Sequence, residues 1–288
     1  MTGQLVWLVT GCTSGIGEAL VHAILAAGDK VIATARSGER PAVERLAPLK
    51  EAGAAVMEID VAAPAAVLTA KAKEAWSIYG QVDVLVNNAG YIDTGVLEEI
   101  DDAFLTNVLQ NNVLGPLNLT RGLLPLMRAR NTGTILFASS VGAYYGAPGS
   151  SAYSGSKTLL ESVVSTLALE IAPFGLRTCL LTLGYFRTNV MTPGNVLYRA
   201  PNPLPEYAEI NKLIQARCES ADGNQPGDPN KAAVLTVEAV RGEGRCVGKE
   251  LPARLPLGPD AFTAIRENSL AKLKICEEWD GITSETSF

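Results

Sequence analysis

Tyr153-Ser154-Gly155-Ser156-Lys157 places a phenol and an ammonium four residues apart, shortly after Ser139-Ser140 at the end of the apolar run Thr134 to Phe137. The segment from about Ser151 to Pro173 reads as helix, and at about 100° per residue Tyr153 and Lys157 then fall within about 40° of each other on one face. A cation beside a phenol favours phenolate and draws the tyrosine pKa down from its reference value near 10, so Tyr153 becomes a proton donor or acceptor usable near neutral pH. The same residues would also serve as a helix start followed by a solvated lysine. The pentapeptide alone leaves both readings open.

Two hydrolytic chemistries compete for these residues. A Ser-His-acid site would have to use the single histidine, His22, which lies in the first helix and far in sequence from the exposed serine candidates. Ser154-x-x-Lys157 has the spacing of a serine–lysine acylase, but the S-D-N and K-T-G elements that accompany that signature are missing.

A phosphate site is the second candidate. Gln4 to Thr10 is an apolar run of strand length that leads into Gly11-Cys12-Thr13-Ser14-Gly15-Ile16-Gly17 and an Ala/Leu-rich stretch to Ala27. In a strand, glycine turn, helix arrangement the backbone approaches a pyrophosphate closely while the helix N-terminus supplies N–H groups and partial positive charge. The spacing G-x-x-x-G-x-G differs from the general dinucleotide fingerprint, and alone it would also suit a tight turn. The next strand, Lys30 to Ala35, ends at Arg36, where a dinucleotide fold places its ribose selector. A guanidinium there suits the 2′-phosphate of NADP, whereas a carboxylate would hold the 2′-hydroxyl of NAD. A solvated loop arginine is the alternative.

These residues need a scaffold, and the chain supplies strands and helices in alternation. Strands Ala54 to Ile59, Val82 to Val86, Thr134 to Ala138 and Leu176 to Leu183 follow the first two, with helices Pro41 to Glu51, Pro64 to Tyr79, Asp101 to Arg130 and the Tyr153 helix between them. Near-continuous apolar strands such as Val82 to Val86 belong to a parallel sheet buried on both faces. The fold class is therefore α/β: a doubly wound parallel sheet of Rossmann type with helices on both faces, in a single domain spanning 1–288. Ligands bind at the carboxyl ends of such strands, and every motif named so far falls at one or just after it. Asn112 sits in Asn111 to Pro116, where Pro116 is expected to kink the helix and a buried amide must find partners.

From Asn189 to about Asn230 prolines accumulate around one helical stretch, Glu206 to Cys218, which reads as an insertion covering the site or as a passive surface excursion. Met191, Val196, Leu197, Tyr198, Leu204 and Tyr207 would give a lid at 189–230 an apolar underside. Helix Lys231 to Arg241, strand Arg254 to Leu257 and a C-terminal extension at about 258–288 follow.

Thirty acidic residues against 24 basic, a net charge of −6 and the lack of any long basic run exclude nucleic acid and anionic membrane as expected partners. Five scattered cysteines form no C-x-x-C pair, so neither a zinc cage nor a disulfide framework is expected, and a reducing, cytoplasmic setting fits. The N-terminal residues show no basic n-region or signal h-region.

Taken together, Thr10-Gly11-x-x-x-Gly15-Ile16-Gly17, Asn87-Asn88-Ala89-Gly90, Ser140 and Tyr153-x-x-x-Lys157 resemble the core type of the short-chain dehydrogenase/reductase family, over roughly Gln4 to Thr188. The resemblance implies a catalytic set of Asn112, Ser140, Tyr153 and Lys157. It also implies cofactor contacts from Gly11, Thr13, Ser14, Gly15, Ile16 and Gly17, from Arg36, from Asp60 and Val61 near adenine, and from Asn87, Ala89 and Gly90. Tyr153 and Lys157 would meet the nicotinamide ribose, and Gly184, Phe186 and Thr188 the carboxamide. Leu183 stands where the family usually has proline. The expected activity is NADP(H)-dependent interconversion of a ketone or aldehyde with an alcohol on a mostly apolar small molecule, by a homo-oligomer, dimer or tetramer. The alternative is a silent nucleotide-binding regulator or scaffold of the same fold.

Overall fold

The computed structural model describes residues 3–38, 40–192, 195, 197–198 and 201–286, the pair 197–198 by backbone alone. The strands are β1 (Val6–Val9), β2 (Lys30–Ala35), β3 (Ala55–Glu58), β4 (Val84–Asn87), β5 (Asp93–Thr94), β6 (Gly133–Ser140), β7 (Leu176–Leu183), β8 (Leu197–Tyr198) and β9 (Arg254–Leu257). Between them run α1 (Gly15–Ala26), α2 (Ala42–Arg45), α3 (Ala47–Glu51), α4 (Ala65–Tyr79), α5 (Asp102–Leu109), α6 (Gly115–Arg130), α7 (Ser151–Ile171), α8 (Ala208–Ala221), α9 (Pro229–Arg241) and α10 (Pro259–Thr283).

Seven strands form one parallel sheet in the order β3-β2-β1-β4-β6-β7-β9. The period of two along each strand sends side chains to opposite faces. Trp7 and Val9 of β1 join the cluster under α1 and α9, with Leu20, Ile24, Ala233 and Val237. Val6 and Leu8 join the cluster under α4, α6 and α7, with Leu68, Leu119, Leu123 and Leu160. Both faces are covered, which is why the strands read as unbroken apolar runs. Strand order reverses between β1 and β4, and that reversal opens a crevice at their carboxyl ends.

Three local differences from expectation matter for the site. The single helix expected over Pro41 to Glu51 is two, α2 and α3, with Pro48 in the first turn of the second. The kink expected at Pro116 is a π turn over Gln110–Leu114, joining α5 to α6 and carrying Asn112. In the expected lid, Pro193, Val196 and the side chains of Leu197 and Tyr198 lie outside the described residues, while β8 pairs in parallel with β5.

Candidate functional site

The crevice is a cavity of about 760 Å3 whose walls come from the carboxyl ends of β1, β2, β4, β6 and β7 and from the segments that follow them. Gly11, Thr13, Ser14, Gly15 and Ile16 line it at the end of β1. Gly15 has φ +62°, a left-handed conformation that favours glycine, and a side chain there would press on Thr188 at 3.1 Å. Ser14 makes no side-chain cap at the start of α1, so the first amides of that helix keep their capacity for an anion. This fits the residues to a pyrophosphate. Gly17, expected at the cofactor, is instead packed under the carbonyl of Gly11 and is off the cavity wall.

The glycine turn is tied to β4 by a small lattice. Thr10 Oγ1 accepts from the amides of Asn88 and Ala89, both at 3.0 Å, and Asn88 Nδ2 donates to Thr10 O at 2.8 Å and Gly11 O at 3.2 Å. Asn88, Ala89 and Gly90 line the cavity. Asn87 does not: it is buried and donates to Thr120 Oγ1 at 3.1 Å on α6. Pleat alternation explains this departure from the expectation, since Asn87 still belongs to β4 and faces the layer beneath.

Arg36 lines the far end of the cavity, with Asp60 and Val61 beside it after β3. Asp60 Oδ1 accepts from Ala62 N at 2.9 Å and shapes that turn. Arg45, which sequence reasoning missed, joins Arg36: its guanidinium donates to Arg36 O at 3.0 Å and to Thr13 Oγ1 at 3.2 Å. The one available signal was a cation in the short helix after β2, and sequence alone does not tell on which side it emerges.

At the centre β6 ends in Ser139-Ser140, and α7 brings Tyr153, Ser154 and Lys157 to the same wall. Ser140 Oγ accepts from Gly142 N at 3.1 Å, which fixes the turn below it. Lys157 is buried, its Nζ donates to Ala138 O at 2.8 Å, and it lies 5.8 Å from the centre of the Tyr153 ring. Burial pulls the Lys157 pKa down to about 8, with Glu161 acting in the opposite sense. The Tyr153 pKa is raised, not lowered as the helix spacing suggests: burial outweighs the hydrogen bond with Ser140 that pulls it down. Desolvation of the phenolate is the reason, and it cannot be read from a four-residue spacing.

Asn112 is off the cavity wall and acts as a clasp. Its Nδ2 donates to Tyr91 O at 3.1 Å and Ser156 Oγ at 3.2 Å, while its Oδ1 accepts from Tyr91 N at 3.2 Å. A buried amide at the π turn thus holds the segment after Gly90 against α7.

One turn beyond Lys157 lies a carboxylate that sequence reasoning missed. Glu161 is buried, accepts from Ser139 Oγ at 2.6 Å and Tyr144 OH at 2.9 Å, and pairs with Arg254 of β9 at 2.7 Å. It binds both flanks of Ser140 to α7. The C-terminal segment adds two further ties: Asp260 accepts from Tyr185 N at 2.6 Å, and Asn268 Nδ2 donates to Tyr144 O at 2.6 Å. Gly184, Phe186 and Thr188 line the cavity where that segment grips it.

The substrate side carries Tyr145 and Tyr185, with hydroxyls 3.1 Å apart, and Met191, Arg217 and Cys218. Residues 201–221 are anchored from below. Glu99 is buried and accepts from Leu204 N at 2.9 Å and Asn211 Nδ2 at 2.9 Å, and Glu98 accepts from Tyr207 OH at 2.5 Å. No helix among the described residues is long and apolar enough to cross a membrane.

Comparison with known proteins agrees with this geometry. Residues 5–195 match the family model for short chain dehydrogenases. An oxidoreductase of Botryotinia fuckeliana, BOA17, is 34% identical over 264 residues, covering 89% of each chain. A 3-ketodihydrosphingosine reductase of Bacteroides thetaiotaomicron is 31% identical over 189 residues, 66% of each chain. Among solved structures, a short-chain dehydrogenase of Streptomyces avermitilis superposes with a TM-score of 0.85 at 36% identity, covering all of both chains. Matched along two thirds of its length and carrying the glycine turn, the serine, the tyrosine and the lysine in one crevice, the chain belongs to the short-chain dehydrogenase/reductase family.

Proposed function

We propose that this oxidoreductase is an NADPH-dependent reductase of ketones or aldehydes, reversible as a secondary-alcohol dehydrogenase, acting on a mostly apolar small molecule. The observation that carries the reading is the meeting of Ser140, Tyr153 and Lys157 on one wall of the cavity that the glycine turn also lines. When bound, the dihydronicotinamide supplies a hydride, two electrons and a proton together, to the carbonyl carbon. As the C=O π pair moves onto oxygen, Tyr153 OH gives its proton there, and Ser140 Oγ hydrogen-bonds the same oxygen. A phenol with a raised pKa is fully protonated at pH 7 and so is charged for this direction. Lys157, held by Ala138 O, stabilises the tyrosinate left behind until a proton returns from solvent. Asn112 is a positioning residue for this set through Ser156 and Tyr91.

NADP(H) is favoured over NAD(H) by two guanidiniums at the ribose end, Arg36 and Arg45, with Arg45 tied to Arg36 O and to Thr13 of the glycine turn. The relative from Bacteroides thetaiotaomicron, named as the reductase of a keto compound, supports the direction. Residues 189–230 act as a lid on one domain, and all five cysteines are free, which supports a cytoplasmic setting. The test is NADPH oxidation with a panel of apolar ketones and aldehydes, run beside NADH: turnover with NADPH is expected, and binding of NADPH without turnover of any carbonyl compound would favour the silent regulator.

A further inference from the structure

Beside the main cavity lies a second one of about 350 Å3, walled by Val96 and Leu97 after β5, by the loop from Gly146 to Ser151, and by Ile210 of α8. The two adjoin, since Ala147, Ser150 and Ser154 line both, and Ser154 is the neighbour of Tyr153. A chain leaving a carbonyl held at Tyr153 has the annex beside it, across Ser154.

The annex is apolar in a specific way. Its side chains are Val96, Leu97, Ala147, Pro148 and Ile210 together with three serines, and no charged side chain lines it. Two of its backbone carbonyls are engaged elsewhere: Gly149 O accepts from Gly95 N at 3.0 Å, and Pro148 O from Arg217 at 3.2 Å. At its mouth Leu97 is 68% exposed and Ile210 36%, two large apolar side chains left against water. The side-chain polar groups of the annex are the hydroxyls of Ser150, Ser151 and Ser154, so a charged substituent would be desolvated there without a counter-charge.

We propose that the annex is a subsite for a linear alkyl tail on the carbonyl substrate. The inference rests on the main cavity being the hydride-transfer site. At about 30 Å3 per water-sized group, a volume of about 350 Å3 has room for a tail of several carbons. Each methylene buried should raise kcat/KM about four-fold, the factor that corresponds to ~0.8 kcal/mol per CH2.

The experiment is a homologous series of linear methyl ketones with saturating NADPH, on the wild-type protein and on Ile210→Glu and Val96→Trp. Neither residue touches the main cavity, one variant puts a charge at the mouth and the other fills the annex. In the wild type, kcat/KM should climb with chain length and then level off. In both variants the climb should be lost while the shortest active ketone keeps its kcat/KM within about two-fold. A flat series in the wild type, or the same climb in both variants, overturns the subsite while leaving the reductase reading in place. Absence of turnover with every ketone overturns the reductase reading and the subsite with it.

Discussion

The two sides of the crevice are held in place by different means. On the cofactor side the loops leave strands of the sheet, and the lattice of Thr10 and Asn88 locks one loop to the next within a few residues of β1 and β4. On the substrate side the long segments after β7 rest on a few carboxylates supplied by distant parts of the chain: Glu98 and Glu99 hold residues 201–211, and Asp260 holds Tyr185. A rigid shelf binds an invariant ligand without reorganising, whereas a segment on few ties opens at small cost. The difference suits a common cofactor on one side and an individual substrate on the other.

Five substitutions would break or sharpen that contrast. The largest effect is expected at the boundary itself, where Tyr153→Phe removes one hydroxyl and little packing. Turnover should fall by about 10²–10⁴-fold while NADPH binding, followed by fluorescence titration, stays close to wild type. Wild-type turnover in this variant would remove Tyr153 from the chemistry.

On the shelf, Arg36→Ala and Arg45→Ala should each weaken NADPH binding by roughly one to two decades, from about 1.5–3 kcal/mol per charge-assisted bond, and leave NADH binding nearly unchanged. Equal losses for the two cofactors would mean that neither guanidinium reads the 2′-phosphate.

Glu161 lies under both sides, and Glu161→Gln should cost about 2 kcal/mol of stability by leaving Arg254 without its counter-charge. The more diagnostic readout is the pH profile. Glu161 raises the pKa of Lys157, so its neutralisation should move the limb that follows the lysine charge to lower pH, below about 8. In the fold the Lys157 pKa lies below its usual 10.5, so the buried ammonium weighs against folding below about pH 8. That burden fades as pH rises from there toward 10.5, and stability should gain over the same window. An unmoved limb in Glu161→Gln would reduce Glu161 to a structural tie.

The smallest effect belongs to the cover. Glu99→Gln weakens the hold on Leu204 and Asn211 by about 1 kcal/mol, so limited proteolysis of residues 201–221 should speed up several-fold, with KM affected more than kcat. Unchanged proteolysis, with and without NADPH and substrate, would count against a lid.

The contrast also explains what the sequence makes legible. The alternation of strands and helices, the glycine turn, Ser140, Tyr153 and Lys157 could be read because each motif follows its own strand or shares a helix face, so neighbours in sequence are neighbours in space. Arg45, Glu161, Asp260 and Asn268 act across 32, 22, 75 and 124 residues, and no spacing rule connects them to Thr13, Ser139, Tyr185 and Tyr144. Asn87 was misplaced because one residue of strand more or less turns a side chain to the opposite face. The sign of the Tyr153 shift was missed because it depends on burial, which only the assembled fold reveals.

The π turn at Gln110–Leu114 has a bearing on how chain length can drift in this molecule. It holds one residue more than an α-helical turn, so deleting Asn111 would let α5 and α6 run on as one regular helix. α5 and α6 would keep their relative phase, because the turn closes with or without the extra residue, and only the bulge that carries Asn112 would be lost. Asn112 would then lose its place between Tyr91 and Ser156, while Gly115 would stay against the carbonyl of Val61, where any larger residue collides. Side chains at the exposed positions of this turn are free to change one at a time, but its residue count is not.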